Sequence, residues 1–278
     1  MLLKDFLPKP ENRELVRLYR IIHLVFDKNA SPSIKAYPPR PEHVLSFFPR
    51  ETEKVEYPGK IFSNGRCILT GQHNTVFNRT VTNDFLCLQV VFQPTGFFLL
   101  TGIPASEFCN EYLDAELFFS SEVRYVNEQL FHAPTYEAML TIADSFVDQM
   151  KKGSIRSGSA IDTLSKYILS HEGNISLDWL AKESSLSIKQ FERNFSQRTG
   201  ITPKIFCRIT RFDKAFRLKN EYPEMDWLSI ALACGYYDYQ HLAKDYKDFT
   251  HLTPPEFHAL ENKAPERKFG LREGLESS

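Results

Sequence analysis

Two stretches near the carboxyl end carry polar side chains whose hydrogen-bonding groups and spacing suit the edges of DNA bases. In the first, Lys189, Gln190 and Arg193 fall on one side of a predicted helix whose other side is apolar. An arginine can bond guanine O6 and N7 together, and a glutamine can bond adenine N6 and N7. Polar residues on a helix face are usually only solvated, so the elements that carry them decide between the two interpretations.

Each stretch belongs to the second helix of a helix-turn-helix pattern. In the first copy, Ser187 is placed to cap that helix, and Gly200, which tolerates positive φ, ends it. In the second copy, Asp226 caps the first helix and Asp238 caps the second. The outward positions of this last helix are Tyr239, Gln240 and Lys244.

A longer helix is predicted between the two copies. Thr202 is placed as its cap and Pro203 stands at its first position, where the missing N–H is no loss. Its buried stripe is Ile205, Ile209, Phe212 and Phe216. Two helix pairs with polar outer faces, joined in this way, are what a double helix-turn-helix reader of DNA needs.

This C-terminal pattern resembles the DNA-binding domain of bacterial AraC/XylS-type transcription regulators over about residues 157–258. The residues that carry the resemblance are Leu180, Ala181, Ser187, Phe191, Phe195, Gly200, Ile201, Thr202, Pro203, Arg211, Phe212, Ile230, Ala231, Gly235, Tyr236, Thr253, Pro254 and Phe257. The resemblance implies that both recognition helices enter adjacent major-groove segments of double-stranded DNA. It places Lys189, Glu192 and Arg193 against the bases, with Glu192 able to accept from cytosine, and it makes RNA polymerase a further candidate partner.

Within this pattern we expect base contacts from Arg193 first, then from Gln240 and Lys189. Lys204 and Arg208 are expected to meet phosphate or solvent, which positions a protein on DNA without specifying sequence.

Three positions depart from the family pattern. Ser185 and His251 stand where glycine is frequent, and His258 stands where arginine is common. Histidine tolerates the left-handed conformation less freely than glycine. These departures make base reading by the first unit more secure than by the second.

The charge distribution supports the same asymmetry. The net charge is −1, but Lys and Arg are in local excess over the first unit and the linker helix, which suits a phosphate backbone. The second unit mixes lysines with Asp238, Asp245 and Asp248, so we expect less salt-dependent affinity from it. The basic residues of the excess are Lys182, Lys189, Arg193, Arg198, Lys204, Arg208, Arg211, Lys214, Arg217 and Lys219.

The N-terminal part predicts short strands. Residues 19–26 read as a first strand, residues 35–41 as a loop or a sheet edge, and from Val44 onward short apolar runs alternate with turn residues as far as GFFLLTG at residues 96–102. This pattern indicates an antiparallel, cupin-like barrel or two-sheet roll. The fold class is therefore α+β, with a β-rich regulatory domain at residues 1–152 and an all-α domain of two helix-turn-helix units at residues 160–262. Residues 153–159 are the predicted linker and residues 263–278 a flexible tail.

Two helices, at residues 122–131 and 136–150, are predicted to follow the strands. The second has an apolar stripe of Met139, Ile142, Phe146 and Met150. By resemblance this helix could form a homodimer; alternatively, the stripe packs on the chain's own barrel. The aromatic residues of 85–92 and 97–100 would favour an apolar or aromatic small-molecule effector if one binds inside the barrel.

Enzymatic and metal-binding classes find little support. The five cysteines show no CxxC spacing, His73 has no ligand-spaced partner, and no nucleotide or hydrolase fingerprint occurs. Asp84, Glu107 and Glu111 read as caps. The most apolar run is broken by polar residues, so we expect no membrane span and a cytoplasmic protein.

We therefore predict a sequence-specific transcription regulator without catalytic activity, cofactor or metal, controlled by a signal sensed in its N-terminal domain. The alternative is a small-molecule-binding barrel whose helical domain acts through a protein partner.

Overall fold

The computed structural model describes residues 1–27, 33–57, 60–63, 65–81, 83–119, 121–153 and 158–274. Within them, ten strands form two antiparallel sheets in the N-terminal region, by which we mean residues 1–152. The strands are β1 (Leu2–Phe6), β2 (Val16–Val25), β3 (Ser33–Tyr37), β4 (Val44–Phe47), β5 (Glu53–Tyr57), β6 (Lys60–Ser63), β7 (Cys67–Thr70), β8 (Phe77–Val81), β9 (Asp84–Phe92) and β10 (Tyr112–Asp114).

The larger sheet has the order β1-β2-β9-β4-β7-β10, and the smaller sheet has the order β3-β8-β5-β6. Every pair is antiparallel, as expected, and the two sheets lie face to face as a roll; among the described strands no ladder closes them into a barrel. The strand β3 lies at the edge of its sheet, where the proline-rich segment that follows it does not interrupt a ladder.

The central strand β9 explains why the larger sheet is buried on both sides. Phe85 and Cys87 point toward the smaller sheet and join its core, while Leu88 and Val90 point the opposite way, toward helices. Because successive side chains of a strand alternate between faces, a strand covered on both faces reads as the nearly continuous apolar run FLCLQVVF.

Helices cover the outer face of the larger sheet. They are α1 (Gly96–Thr101), α2 (Glu116–Phe119), α3 (Glu122–His132) and α4 (Tyr136–Lys152), with short 3-10 turns at Pro10–Asn12 and Ala105–Phe108. The prediction of a strand at GFFLLTG was wrong. A short apolar run does not distinguish strand from helix, and Gly102 ends this one as a helix by adopting a left-handed conformation.

The apolar stripe of α4 packs on the chain's own sheet. Met139, Phe146 and Val147 are buried in the main core, and Ile142 and Met150 are partly buried against it. The structure shows this stripe packed within the chain, with Ile142 and Met150 only partly covered, and the homodimer stays a prediction.

Seven helices make up the C-terminal region as far as residue 262: α5 (Ala160–Ser170), α6 (Leu177–Glu183), α7 (Ile188–Thr199), α8 (Pro203–Glu221), α9 (Trp227–Ala233), α10 (Tyr239–Thr250) and α11 (Pro254–Glu261). They enclose one core, to which α8 contributes Phe206, Ile209, Phe212 and Phe216. None of the described helices is long and apolar enough to cross a membrane.

The structure bears on the predicted tail at the end of the C-terminal region, but not on the predicted linker at its start. Residues 154–157 of the predicted linker lie outside the described residues, so its boundaries stay a prediction. The predicted flexible tail differs from what the structure shows through residue 274. A 3-10 helix (Pro265–Phe269) follows α11, and the Glu266 and Glu273 side chains are buried against the N-terminal region. Residues 275–278 lie outside the described residues.

Candidate nucleic-acid interface

The first helix-turn-helix unit consists of α6, a turn at Ser185, and the recognition helix α7. Ser187 caps α7 by accepting from the Gln190 N–H, as the sequence predicts, and Phe191 and Phe195 are fully buried beneath it. Ser185 adopts φ 56°, so the position where the family has glycine does require the left-handed conformation. The core therefore fixes which face of α7 turns outward.

The outward face of α7 presents two cations. Lys189 and Arg193 are exposed, and neither has a hydrogen-bond or ion-pair partner in the part of the chain that the structure describes. Glu192 is half-buried beside them. The start of this helix thus offers an arginine and a lysine that no internal acid neutralises, which is the arrangement a base- and phosphate-contacting helix needs.

Gln190 has a different role from the one predicted first. Its Oε1 accepts from the Ser187 backbone N–H at 3.1 Å and from the Ser187 hydroxyl at 2.9 Å, completing a capping box. A two-pronged bond to adenine needs the same oxygen. Gln190 could read adenine in that way only by giving up the cap.

The second unit consists of α9 and the recognition helix α10. Asp226 and Asp238 cap the two helices as predicted, the latter by accepting from the His241 N–H at 2.8 Å. Gln240 and Lys244 are exposed and Tyr239 is half-buried. His251 ends α10 with φ 63°, in the conformation that the missing glycine would adopt freely.

Arg208 joins the linker helix to the second recognition helix. Its Nε and Nη2 donate to Asp245 Oδ1 at 2.9 and 2.7 Å, and Nη2 also pairs with Asp248. Asp245 is buried and accepts a further hydrogen bond from the Tyr236 hydroxyl at 3.0 Å. Burial alone would lower the pKa of Arg208, but these carboxylates raise it. Both acids already bind its guanidinium, although the side chain stays 25% exposed, so the predicted contact of Arg208 with phosphate or solvent stays a prediction.

Four more of the predicted basic residues are also committed to structural contacts. Arg198 donates to both oxygens of Asp162, Lys214 pairs with Glu172, Arg217 with Asp213, and Lys219 donates to two backbone carbonyls. A count of charges along the sequence does not show these contacts: Asp162 and Glu172 are distant in sequence, Lys219 binds backbone atoms, and only Asp213, one helical turn from Arg217, is a neighbour in sequence. The cations left exposed on α6, α7, the start of α8 and α10 are Lys182, Lys189, Arg193, Lys204, Lys244 and Lys247.

A cleft of about 440 Å³ lies between α8 and α10. Lys204, Arg211 and Lys244 line it together with Tyr237 and the ion-paired Arg208. Arg211 places its guanidinium 5.3 Å from the ring centroid of Tyr236. Asp245 and Asp248 also line the cleft, but the four cations outnumber them, so it suits a phosphate group better than an apolar ligand.

The N-terminal region touches the carboxyl ends of both recognition helices. At the end of α7, the Arg198 guanidinium lies 4.7 Å from the Phe98 ring centroid, and a Cβ added at Gly200 would come within 3.1 Å of the Ala105 carbonyl oxygen. At the end of α10, the Val76 N–H donates to the Phe249 carbonyl at 2.9 Å. The orientation of the two helices is therefore coupled to the N-terminal region.

His73, the one histidine that invited a metal-binding interpretation, is buried in the N-terminal region with its ring centroid 4.6 Å from that of Phe77. Burial and the nearby Arg79 lower its pKa to about 3. No group of three or more His, Cys, Asp or Glu placed to hold a metal ion occurs among the described residues.

A family model described as a helix-turn-helix domain matches residues 180–259, which span both recognition helices. This part of the chain is an AraC-type helix-turn-helix domain. In the AraC-type domain the turn positions of Ser185 and His251 usually hold glycine, and both residues adopt the glycine conformation here.

Solved structures with a related overall fold include an apo variant of ToxT from Vibrio cholerae. It is 12% identical, with a TM-score of 0.50 over 87% of this chain and 97% of ToxT. A ToxT structure with a bound unsaturated fatty acid is 10% identical, with a TM-score of 0.48 over 89% and 95% of the two chains. The AraC-like transcriptional activator CuxR is 15% identical, with a TM-score of 0.26 over 77% and 87%. The likeness to the ToxT variant concerns the fold alone, and no curated protein matches the chain in sequence.

Proposed function

We propose that the protein is a sequence-specific transcription regulator that reads DNA chiefly through α7. The observation that carries this proposal is the outward face of α7 in an AraC-type domain, where Arg193 and Lys189 are exposed and unpaired among the described residues. Arg193 is the candidate for a bidentate guanine contact, with Lys189 beside it. Glu192 is half-buried and can accept from a cytosine amine at the same surface.

The second unit has a smaller part in this proposal. Tyr239, Gln240 and Lys244 remain its candidate base contacts. The nearest arginine, Arg208, is paired with Asp245 and Asp248. Lys204 lines the cleft between α8 and α10, where it would meet the phosphate backbone. Phosphate contacts add affinity and salt dependence without sequence preference.

An effector inside the sheets is not supported by the packing. Phe48, Phe77 and Phe85 are buried together with Tyr112 in the core between the two sheets. The cavity that Phe85 lines has a volume of about 40 Å³, whereas ligand pockets usually measure about 300 Å³ or more. The aromatic residues therefore fill the interior, and the expectation of an apolar effector there does not match this structure. Control by a signal remains part of the proposal without an assigned site.

A second candidate function is action through a protein partner. Leu228 and Leu232 lie one helical turn apart on α9 and are each about half exposed, and Tyr237 beside them is 85% exposed. Exposed apolar groups of this kind are typical of protein contacts. RNA polymerase is the candidate partner that the family resemblance implies.

The test is a binding selection on duplex DNA fragments with the full chain and two single variants. We expect Arg193→Ala to relax the preferred base at one position, with a loss of about 1–3 kcal/mol on the selected site. Lys204→Ala serves as the matched control, since it removes an exposed cation near α10. It should weaken binding to all sequences alike and reduce the salt slope by about one.

The outcome against the proposal is equally specific. If wild-type protein recovers no preferred sequence, and Arg193→Ala and Lys204→Ala weaken binding equally, α7 does not read bases. The partner function would then be favoured.

A further inference from the structure

The segment after α11 lies between the two regions of the chain. Its 3-10 helix leads to Phe269, whose ring centroid is 5.3 Å from that of Phe26 in the N-terminal region. On the other side, Asn220 of α8 donates to the Glu273 carbonyl at 3.1 Å, and Arg217 of α8 donates to the Gly274 carbonyl at 3.0 Å. The segment 265–274, which we call the tail, thus contacts both regions.

The Glu273 side chain ends in a pocket of two cations from the N-terminal region. Lys35 Nζ lies 3.1 Å from Glu273 Oε1, and Arg40 Nη2 donates to Oε2. Only 1% of the Arg40 side chain and 6% of the Glu273 side chain are exposed. Burial alone would raise the pKa of the Glu273 carboxyl, but Arg40 and Lys35 hold it well below its usual value.

Arg40 depends on this carboxylate for its hydrogen bonding. Its Nε and Nη1 are buried and make no hydrogen bond among the described residues. The other acids near its guanidinium are farther away: Asp213 at 3.8 Å and Glu42 at 3.9 Å. A buried cation without a bonded acid is strongly destabilising. The folded protein is therefore most stable when a carboxylate binds the Arg40 guanidinium.

Lys35 is less dependent on Glu273. It also pairs with Glu266 of the tail and lies 3.6 Å from Glu261 of α11. Both of these acids belong to the C-terminal side of the interface. The nearest acids across the interface from these two cations of the N-terminal region therefore lie at or beyond α11, and Asp213 of α8 is farther away, 3.8 Å from Arg40.

We propose that Lys35 and Arg40 form a carboxylate-binding site, which Glu273 occupies from the chain's own tail and thereby latches the helix-turn-helix units onto the N-terminal region. A small free carboxylate takes the same place when the side chain of Glu273 is removed. The site recognises charge and shape at two adjacent cations, and the tail is its internal ligand.

The test uses the full chain with Glu273→Ala, a change that removes a CH₂–COO⁻ group of the size of acetate. We expect a lower Tm and a larger radius of gyration in chloride buffer, because the latch is lost while Arg40 stays charged. Sodium acetate should restore both in a saturable manner, as a ligand of the native state does. Acetamide, and sodium chloride at matched ionic strength, should restore neither.

Two control variants separate a carboxylate site from a general salt effect. Glu256→Ala also removes a glutamate that accepts hydrogen bonds, at the start of α11, but its side chain is exposed and no pocket remains for acetate. Its Tm should not respond to acetate. The double variant Glu273→Ala, Arg40→Met should lose the acetate response as well.

Three results would overturn the inference. The first is an acetate response no larger than that to chloride, and the second is an equal response to acetamide. The third is an unchanged radius of gyration in Glu273→Ala, since the residue would then contribute only local stability. If Glu273→Ala folds only in acetate, transfer into chloride replaces the titration: expansion or unfolding supports the site, and a stable compact protein contradicts it.

Discussion

His43 should make the protein sensitive to mild acid. It immediately precedes β4, is 1% exposed, and packs its ring 5.7 Å from that of Phe108. Neither ring nitrogen has a hydrogen-bond partner in the described part of the chain. Burial lowers the pKa of His43 from 6.5 to about 4. The folded state therefore holds the ring neutral at a pH where the unfolded chain is already protonated.

The sign and size of the effect follow from proton linkage. Because the unfolded state binds more protons between the two pKa values, stability is present above about pH 6.5 and is lost as the pH falls toward about 4. At about 1.4 kcal/mol per pKa unit, the step from about pH 7 to about pH 5 costs roughly 2 kcal/mol for this residue. His73, with a pKa lowered to about 3, acts in the same direction.

The assay is urea unfolding of wild type and His43→Phe at about pH 7 and about pH 5. Phenylalanine keeps an aromatic ring against Phe108 and cannot titrate, so the variant should lose about 2 kcal/mol less than wild type over that step. His132→Phe, at an exposed histidine, is the matched control and should keep the wild-type loss. An equal loss in wild type and His43→Phe would refute the reasoning, since His43 would then reach water or a partner in the folded state.

Two further predictions concern the helix-turn-helix units. Ser185→Gly should raise the free energy of unfolding by about 1 kcal/mol. Ser185 adopts a positive φ, a conformation that is strained for a residue with a side chain and unstrained for glycine. Its right-handed neighbour gives the control: Ser184→Gly should lower stability by about 0.5–1 kcal/mol in the same urea assay, and a gain from both or from neither would contradict the strain argument. Arg208→Met should cost about 2 kcal/mol, since Asp245 would stay buried without its cation. Lys204→Met, one turn earlier and exposed, should change stability little; a similarly small effect of Arg208→Met would show that the ion pair is dispensable.

The helical part of the fold could be predicted because its signals are local. Ser187, Thr202, Asp226 and Asp238 each cap the helix that starts after them, and the structure confirms all four. A cap depends on residues two or three positions away, which a single sequence displays directly. The same holds for Ser185, where the family pattern pointed to a left-handed turn before the structure showed one.

What could not be predicted depends on residues that are distant in sequence. Arg208 is 37 residues from Asp245, and Arg40 is 233 residues from Glu273. Nothing in the spacing of these residues indicates that they pair, so the sequence alone leads to phosphate or solvent for Arg208 and to a flexible tail at residues 263–278. In the sequence, Asp245 and Asp248 indicate only that the second unit contributes less salt-dependent affinity for DNA. Their pairing with Arg208 cannot be seen there.

The ion pairs of Arg208 increase the difference in available positive charge between the two helix-turn-helix units that the charge pattern along the sequence suggests. On α7 the base-facing cations Lys189 and Arg193 have no internal acid among the described residues, whereas on α10 two aspartates hold Arg208. Attraction between exposed charges and phosphate is screened by salt, while a buried pair within the protein contributes little to it. Arg208 should therefore add little to the salt dependence of DNA binding, which we expect from the unpaired Lys189 and Arg193 of the first unit together with the exposed Lys204. The second unit is fixed in orientation by Arg208 and by the Val76–Phe249 hydrogen bond, so its contribution depends on how the N-terminal region holds α10 relative to α7.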